Sequence, residues 1–234
     1  MTEKLLSIII PVYNEEKIAA DYLPSIFNLP LRAEYIIVND GSTDNTLSIL
    51  NELKKKYTFK LIDQPTNQGK GAAVKRGLGE ITGDYFIVCD ADAEYDPEDI
   101  GYLFKQANTI SDKNTAIYGS RFLLNKHLSF HYLVNRFLTA LTNILFSGHL
   151  SDMETCFKLI PRECLKILNL SGRRFEIEPE ITAQLLKAHC EIIEFPISYK
   201  RRGYREGKKI KARDGLLAIR TLFQEKFTLN QDRK

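Results

Sequence analysis

The chain has 234 residues, 44% of them hydrophobic and 27% charged, with a formal net charge of +3. That composition excludes disordered, collagen-like and disulfide-dense classes and fits a single domain of generous size. Four cysteines without a CxxC pair argue against a zinc knuckle or redox motif, so reduced thiols of a cytosolic protein are expected. Met1–Lys4 leads straight into Leu5–Val12, an apolar run of strand length rather than the core of a secretory leader. The longest stretch lacking charge, Phe137–Ser151, is too short to span a bilayer and carries Asn143, Gly148 and His149. A soluble or peripheral protein is expected.

In chain order, Leu6–Val12 reads as a buried strand and Glu15–Phe27 as a helix. Tyr35–Val38 is the next strand, and the Ser/Thr/Asp-rich turn after it suits the capping of a helix near Thr46–Lys55. Phe59–Ile62 follows as a strand, Gly71–Ile81 as a helix, and Tyr85–Cys89 as a fourth strand. Pro97 opens a helix to about Asn108, and Ala116–Gly119 is a fifth strand. Short uninterrupted apolar strands alternating with helices predict an α/β fold, with a mainly parallel sheet covered on both faces. Ligands of such sheets bind beyond the carboxyl ends of the strands.

The second half is less regular. Phe130–Phe146 is predicted as a helix with an apolar stripe and one charge, Arg136. Thr155–Ile160 reads as a strand, Glu178–Ala188 as a helix, Glu191–Tyr199 as a strand and Asp214–Lys226 as a final amphipathic helix. Between Lys200 and Arg213 stand eight basic residues and one acid, Glu206. That segment is either a solvated loop or a surface for an anionic partner. Tyr204 is the one aromatic residue within it, which speaks against nucleic acid.

The chemistry concentrates at strand ends. Asp90-Ala91-Asp92, with Glu94 and Asp96 close behind, follows the strand YFIVC. Crowded carboxylates repel unless a cation joins them, so the run is a candidate Mg²⁺ or Mn²⁺ site, or else an acidic turn capping the Pro97 helix. The ends of the first two strands supply PVYNEE and NDGS, and NQGKG precedes the third helix. Asp40 could accept hydrogen bonds from a base or ribose, and Lys70 could neutralise phosphate. Arg136, alone on an uncharged helix, must find an anion, pair with an acid or reach solvent. Glu178 and Glu180 flank Pro179 where favourable helix-dipole placement explains them, with a role in the site as the alternative.

Together the runs SIIIPVYNEE, VNDGSTDNT, NQGKGAAVKRG, GDYFIVCDADAEYDP, YGSRF, DMETCFKL, EPEI and YKRRGYREGKKI resemble the family 2 glycosyltransferases. Within that family the chain is similar to the dolichyl- and polyprenyl-phosphate sugar synthases, mannose or glucose. The resemblance implies a GT-A fold in one domain over 1–234, a nucleotide-sugar half (1–120) and an acceptor half (121–234) with the basic loop 200–213. It implies an inverting transfer from a nucleoside-diphosphate sugar, of GDP-mannose or UDP-glucose type, to a lipid phosphate. Pro11, Tyr13, Glu15, Asp40, Lys70 and Asp90 would bind the donor. Asp90, Asp92 and Glu94 would hold the metal, and Arg121 and Arg136 the acceptor phosphate. Arg202 would approach the donor diphosphate or the acceptor phosphate. Asp152 falls where many members carry a catalytic aspartate. It would be general base for a sugar hydroxyl in a glycan, whereas an ionised phosphate needs no base. A cytoplasmic location, peripheral on the membrane face, follows from the resemblance, with a separate membrane-anchoring partner as one route there.

Overall fold

The computed structural model describes residues 4–110, 112, 114–123, 130–201 and 212–228. Its centre is a seven-stranded sheet built from β1 (Leu6–Val12), β2 (Ala33–Asn39), β3 (Lys60–Asp63), β4 (Tyr85–Val88), β5 (Ala116–Ser120), β6 (Lys158–Pro161) and β7 (Ile192–Pro196). The strand order is β3-β2-β1-β4-β6-β5-β7. Strand β6 is antiparallel to both β4 and β5, and the other neighbours pair in parallel. The expected mainly parallel sheet is therefore present, with one reversed strand in its interior.

Strand β1 explains why the sheet has this centre. Leu6, Ile8, Ile9 and Ile10 are fully buried, so both faces of the strand are covered. Side chains of that size stabilise by about 1.5–3 kcal/mol each when withdrawn from water. The helices that provide the cover are α1 (Ala19–Phe27), α2 (Thr46–Lys54), α3 (Lys70–Leu78), α4 (Glu98–Thr109), α5 (Phe130–Phe146), α6 (Ile177–Lys187) and α7 (Ala212–Phe227).

Several predicted boundaries move: the helix expected to Ile81 ends at Leu78 and the strand expected to Tyr199 ends at Pro196, and two other shifts have a clear local reason. Helix α1 starts at Ala19 rather than Glu15, because Asn14 takes φ +48° and the Glu15 N–H donates to Thr46 Oγ1 at 2.9 Å. The strand expected from Thr155 begins only at Lys158. Residues before it form a turn whose backbone bonds go elsewhere, such as Cys156 N–H to Tyr95 Oη at 3.1 Å.

Pro11 marks where the sheet opens. The Ile9 carbonyl accepts from Cys89 on the β4 side, and the Val12 carbonyl accepts from Asp40 on the β2 side. Strand alternation thus turns the Pro11 nitrogen toward β4, whose pairing with β1 ends at Ile9↔Val88. The proline costs no ladder bond there. Beyond it β1 and β4 part, at the point where the strand order reverses, and such switch points leave a crevice for ligands.

Candidate active site

Two loops form one wall of that crevice by holding each other. Ser42 Oγ accepts from Asn14 N–H at 3.0 Å, Asn14 Oδ1 accepts from Thr43 N–H at 2.8 Å, and Glu16 Oε2 accepts from Asn45 N–H at 3.0 Å. Pro11 and Tyr13 are part-buried and Glu15 is buried on the first loop. The structure thus brings three expected donor residues to the end of β1.

Asp40 does something other than wait for a ligand. Its Oδ1 accepts from Gln64 Nε2 and Gln68 N–H, and its Oδ2 from Asn67 Nδ2 and Gly69 N–H, all at 2.8 Å. Four donors fill the roughly four acceptor positions of a carboxylate. Asp40 therefore shapes the 64–69 loop that delivers α3. Gly69 completes this loop at φ +99°, where a Cβ would collide with the Arg173 carbonyl. Only glycine takes that backbone without strain.

Helix α3 opens with Lys70, whose Nζ lies 2.7 Å from Asp90 Oδ2 and 2.9 Å from Glu178 Oε1. Glu178 also pairs with the buried Lys158. Acid and base alternate through Asp90, Lys70, Glu178 and Lys158, from the end of β4 into the core. Burial opposes the charge on Lys70, but Asp90 and Glu178 outweigh it and hold its pKa well above the ordinary lysine value. Burial would likewise raise Glu178, and Lys158 and Lys70 bring it below the usual carboxylate value instead. Glu178 is thus part of the site, beyond any helix-dipole effect.

The acidic turn after β4 is tight. Asp92 Oδ1 accepts from Glu94 N–H at 3.0 Å, and Ala93 sits at φ +55°. Glu94 Oε2 accepts from Tyr199 Oη at 2.7 Å. Among the described residues no three His, Cys, Asp or Glu side chains converge as a metal-ligand group. The expected trio Asp90, Asp92 and Glu94 is therefore not assembled as a ligand set, because Asp90 faces Lys70 and Glu94 faces Tyr199. The chemistry still fits Mg²⁺ or Mn²⁺, hard ions that need one or two carboxylates when phosphate oxygens and water complete the shell. Asp90 and Asp92, both part-buried in the turn that follows β4, are the carboxylates that would meet that requirement.

On the far side, Arg121 grips Asp152 through two parallel bonds, Nε to Oδ2 at 2.7 Å and Nη2 to Oδ1 at 2.6 Å. The Arg121 N–H also donates to Oδ2 at 3.0 Å, and Asp152 is fully buried. Burial opposes the guanidinium charge, yet Asp152 more than offsets it and raises the pKa further. The Arg121 side chain also lies 5.2 Å from the centre of the Tyr199 ring. Glu194 on β7 holds the same turn, accepting from Ser151 N–H at 2.6 Å and Asp152 N–H at 2.9 Å. Arg136, exposed on α5, donates to the Ser151 carbonyl at 3.0 Å. Both expected arginines thus meet at Ser151–Asp152.

Arg202 and the rest of 202–211 in the basic segment lie outside the described residues, as do residues 124–129. Sequence reasoning missed Lys158, Glu194 and Tyr199. A lysine inside a β-strand carried a signal: apolar Cys156 and Ile160, two residues away on either side and so on its own face, mark Lys158 as buried, and a buried cation needs an acid.

Comparisons with known proteins identify the family and the fold. The family model described as Glycosyl transferase family 2 matches residues 7–168. An uncharacterized protein of Methanocaldococcus jannaschii is 32% identical over 204 residues, covering 81% of this chain and 86% of its own. A dolichyl-phosphate beta-glucosyltransferase of Trichomonas vaginalis is 31% identical over 83% of this chain, which spans 65% of that protein's length. A dolichol-phosphate mannosyltransferase of Pyrococcus furiosus is 30% identical over 87% of this chain and 58% of its own. Among solved structures, glucosyl-3-phosphoglycerate synthase from Mycobacterium tuberculosis, in complex with Mn²⁺, UDP and glucosyl-3-phosphoglycerate, superposes with a TM-score of 0.72. It covers 95% of this chain and 80% of its own at 17% identity, a likeness of fold.

Proposed function

The chain belongs to glycosyltransferase family 2 and has its GT-A fold, and from that premise we propose that it transfers a hexose from a nucleoside-diphosphate sugar to a polyprenyl or dolichyl phosphate. The observation that carries the proposal is the Arg121–Asp152 pair beside Arg136. Arg121 binds Asp152 and Arg136 binds the carbonyl of the preceding Ser151, and the aspartate is shut from solvent and bonded through both oxygens. Such an Asp152 is poorly suited to take a proton from a sugar hydroxyl. An acceptor phosphate is already ionised and asks only for cations that orient it, such as Arg136 and the N–H donors of Arg121 that Asp152 leaves unused. This geometry favours phosphate over the hydroxyl of a glycan as acceptor.

In the proposed reaction the acceptor phosphate oxygen attacks the anomeric carbon in line and displaces the nucleoside diphosphate, inverting the centre. Lys70 presents positive charge toward the leaving diphosphate, where negative charge develops. Asp92 and Asp90 would hold Mg²⁺ or Mn²⁺, which when bound neutralises the diphosphate. Arg202 is the further arginine proposed for the phosphates. Arg121 and Arg136 contribute mainly orientation.

The surface supports a lipid acceptor. Six of the eight large hydrophobic side chains exposed among the described residues lie on α5 and α7: Leu133, Phe137, Ile144, Leu216, Phe223 and Phe227. Gly215 lies near Val134, and Lys226 donates to the Leu145 carbonyl, so the helices run side by side at a common offset of 81 residues. The exposed charges on both are cationic: Arg136, Arg213, Arg220 and Lys226. An apolar stripe edged by cations suits the surface of an anionic bilayer. No helix of the described residues is long and apolar enough to cross a membrane. Flotation with vesicles containing an anionic phospholipid is expected to carry the protein, and combined Phe137→Ser, Ile144→Ser and Phe227→Ser to weaken that at least tenfold. Unchanged flotation of the variant would remove this face from the proposal.

Donor binding is tested by thermal shift with UDP, GDP, UDP-glucose and GDP-mannose, each with and without Mn²⁺. A matching nucleotide at a hundred times its Kd is expected to raise Tm by about 5–10 °C. No shift with any of them would sink the donor site. Conversion of a polyprenyl phosphate, with the product inverted at the anomeric carbon, tests the transfer itself.

A further inference from the structure

Three buried side-chain oxygens among the described residues have no hydrogen-bond partner, and two of them are neighbours: Glu154 Oε1 and Thr155 Oγ1. Buried polar groups are almost always paired, so adjacent orphans on one turn call for a ligand or water that completes them. The turn is well placed for a ligand. Its first residue, Asp152, fixes Arg121, and its last, Cys156, lies with Sγ 3.7 Å from Lys70 Nζ. If Arg121 meets the acceptor phosphate and Lys70 the donor diphosphate, the sugar between those groups passes over Glu154.

Resting on that reading of the site, we propose that Glu154 determines sugar specificity by accepting a hydrogen bond from a hydroxyl of the transferred hexose. The electrostatic setting agrees. Burial pushes the Glu154 carboxyl up to about 7, against the pull of Lys158 and Arg121 and with the repulsion of Glu178 and Asp152. A carboxylate kept short of partners in this way gains more from a hydroxyl than one already paired. Glu154 is only part-buried, whereas Thr155 is fully enclosed, so of the two orphans Glu154 is the one a ligand can reach by a side-chain movement.

The test is calorimetric titration of wild type, Glu154→Gln and Glu154→Ala with UDP, GDP, UDP-glucose and GDP-mannose in the presence of Mn²⁺. Wild type is expected to bind one sugar nucleotide more tightly than the corresponding diphosphate. Glu154→Ala is expected to weaken that sugar nucleotide about ten- to hundredfold while the diphosphate changes less than twofold. Glu154→Gln, which keeps shape and one acceptor, should fall between and decides the matter if the alanine variant does not fold. Equal losses for sugar nucleotide and diphosphate, or no loss for either, overturn the assignment of Glu154 while leaving the donor site standing. Failure of wild type to bind any of the four removes the donor site and this inference together.

Discussion

Glu178→Gln is expected to cost about 3–5 kcal/mol of folding stability, the usual result of removing one partner from a buried ion pair. The reason is specific to this chain. Lys158 is almost fully buried and has Glu178 as its carboxylate, and Lys70 keeps only Asp90 once Glu178 is neutral. Urea unfolding of both proteins measures the loss. The pH dependence carries a sign. The Glu178 pKa is held below its unfolded value, so its contribution is complete above the ordinary glutamate pKa of about 4.3 and fades as pH falls through the folded value. The gap between wild type and variant should therefore be widest near neutrality and close in acid. A variant as stable as wild type at pH 7 would mean that the two lysines do not depend on this acid. Donor affinity should fall with stability, because Lys70 loses one of the two carboxylates that fix it.

Asp152→Asn and Arg121→Lys are expected to act alike, each raising the KM for polyprenyl phosphate about ten- to hundredfold with donor affinity little changed. Either substitution dissolves the two-bond fork that orients the guanidinium, since an amide and an ammonium cannot reproduce it. Misplacing an orienting group by about 1 Å costs on the order of a hundredfold. The double variant should be no worse than the poorer single one, because the two residues act as a unit. Loss confined to kcat in Asp152→Asn, and absent from Arg121→Lys, would revive the aspartate as a proton acceptor and with it a hydroxyl substrate. Asparagine is preferred to alanine here, because it keeps the side-chain volume and one acceptor oxygen beside Arg121.

Much of this was legible in the sequence because the strands of the donor side are buried on both faces. Runs such as Leu6–Val12 and Tyr85–Val88 need no periodicity to be read, and the residues after them fall at the crevice by topology. What escaped was pairing over distance. Glu178 finds its cations at positions 70 and 158, and no local pattern announces either. Asp40 was correctly located, yet its four donors come from a loop more than twenty residues later, so its commitment to the protein was invisible. Thr155, Cys156 and Phe157 have the composition of a strand, but all three are buried around a turn whose course follows Tyr95, Lys70 and Asp152. Glu94 pairs with Tyr199, 105 residues away, which a reading of the acidic run by itself assigns to metal.

The reversed strand β6 has a consequence for how the molecule is assembled. It enters the sheet between β4 and β5, both of which are synthesised earlier. Until residue 161 has emerged, β4 exposes one unpaired edge of backbone donors and acceptors and β5, whose other neighbour β7 comes later still, exposes both. A fragment ending near residue 120 would thus carry the motifs expected to bind the donor, apart from Arg202, and still be a sticky, unfinished sheet. The piece that seals it follows closely on Asp152, so the donor and acceptor sides of the proposed site are completed by one stretch of chain.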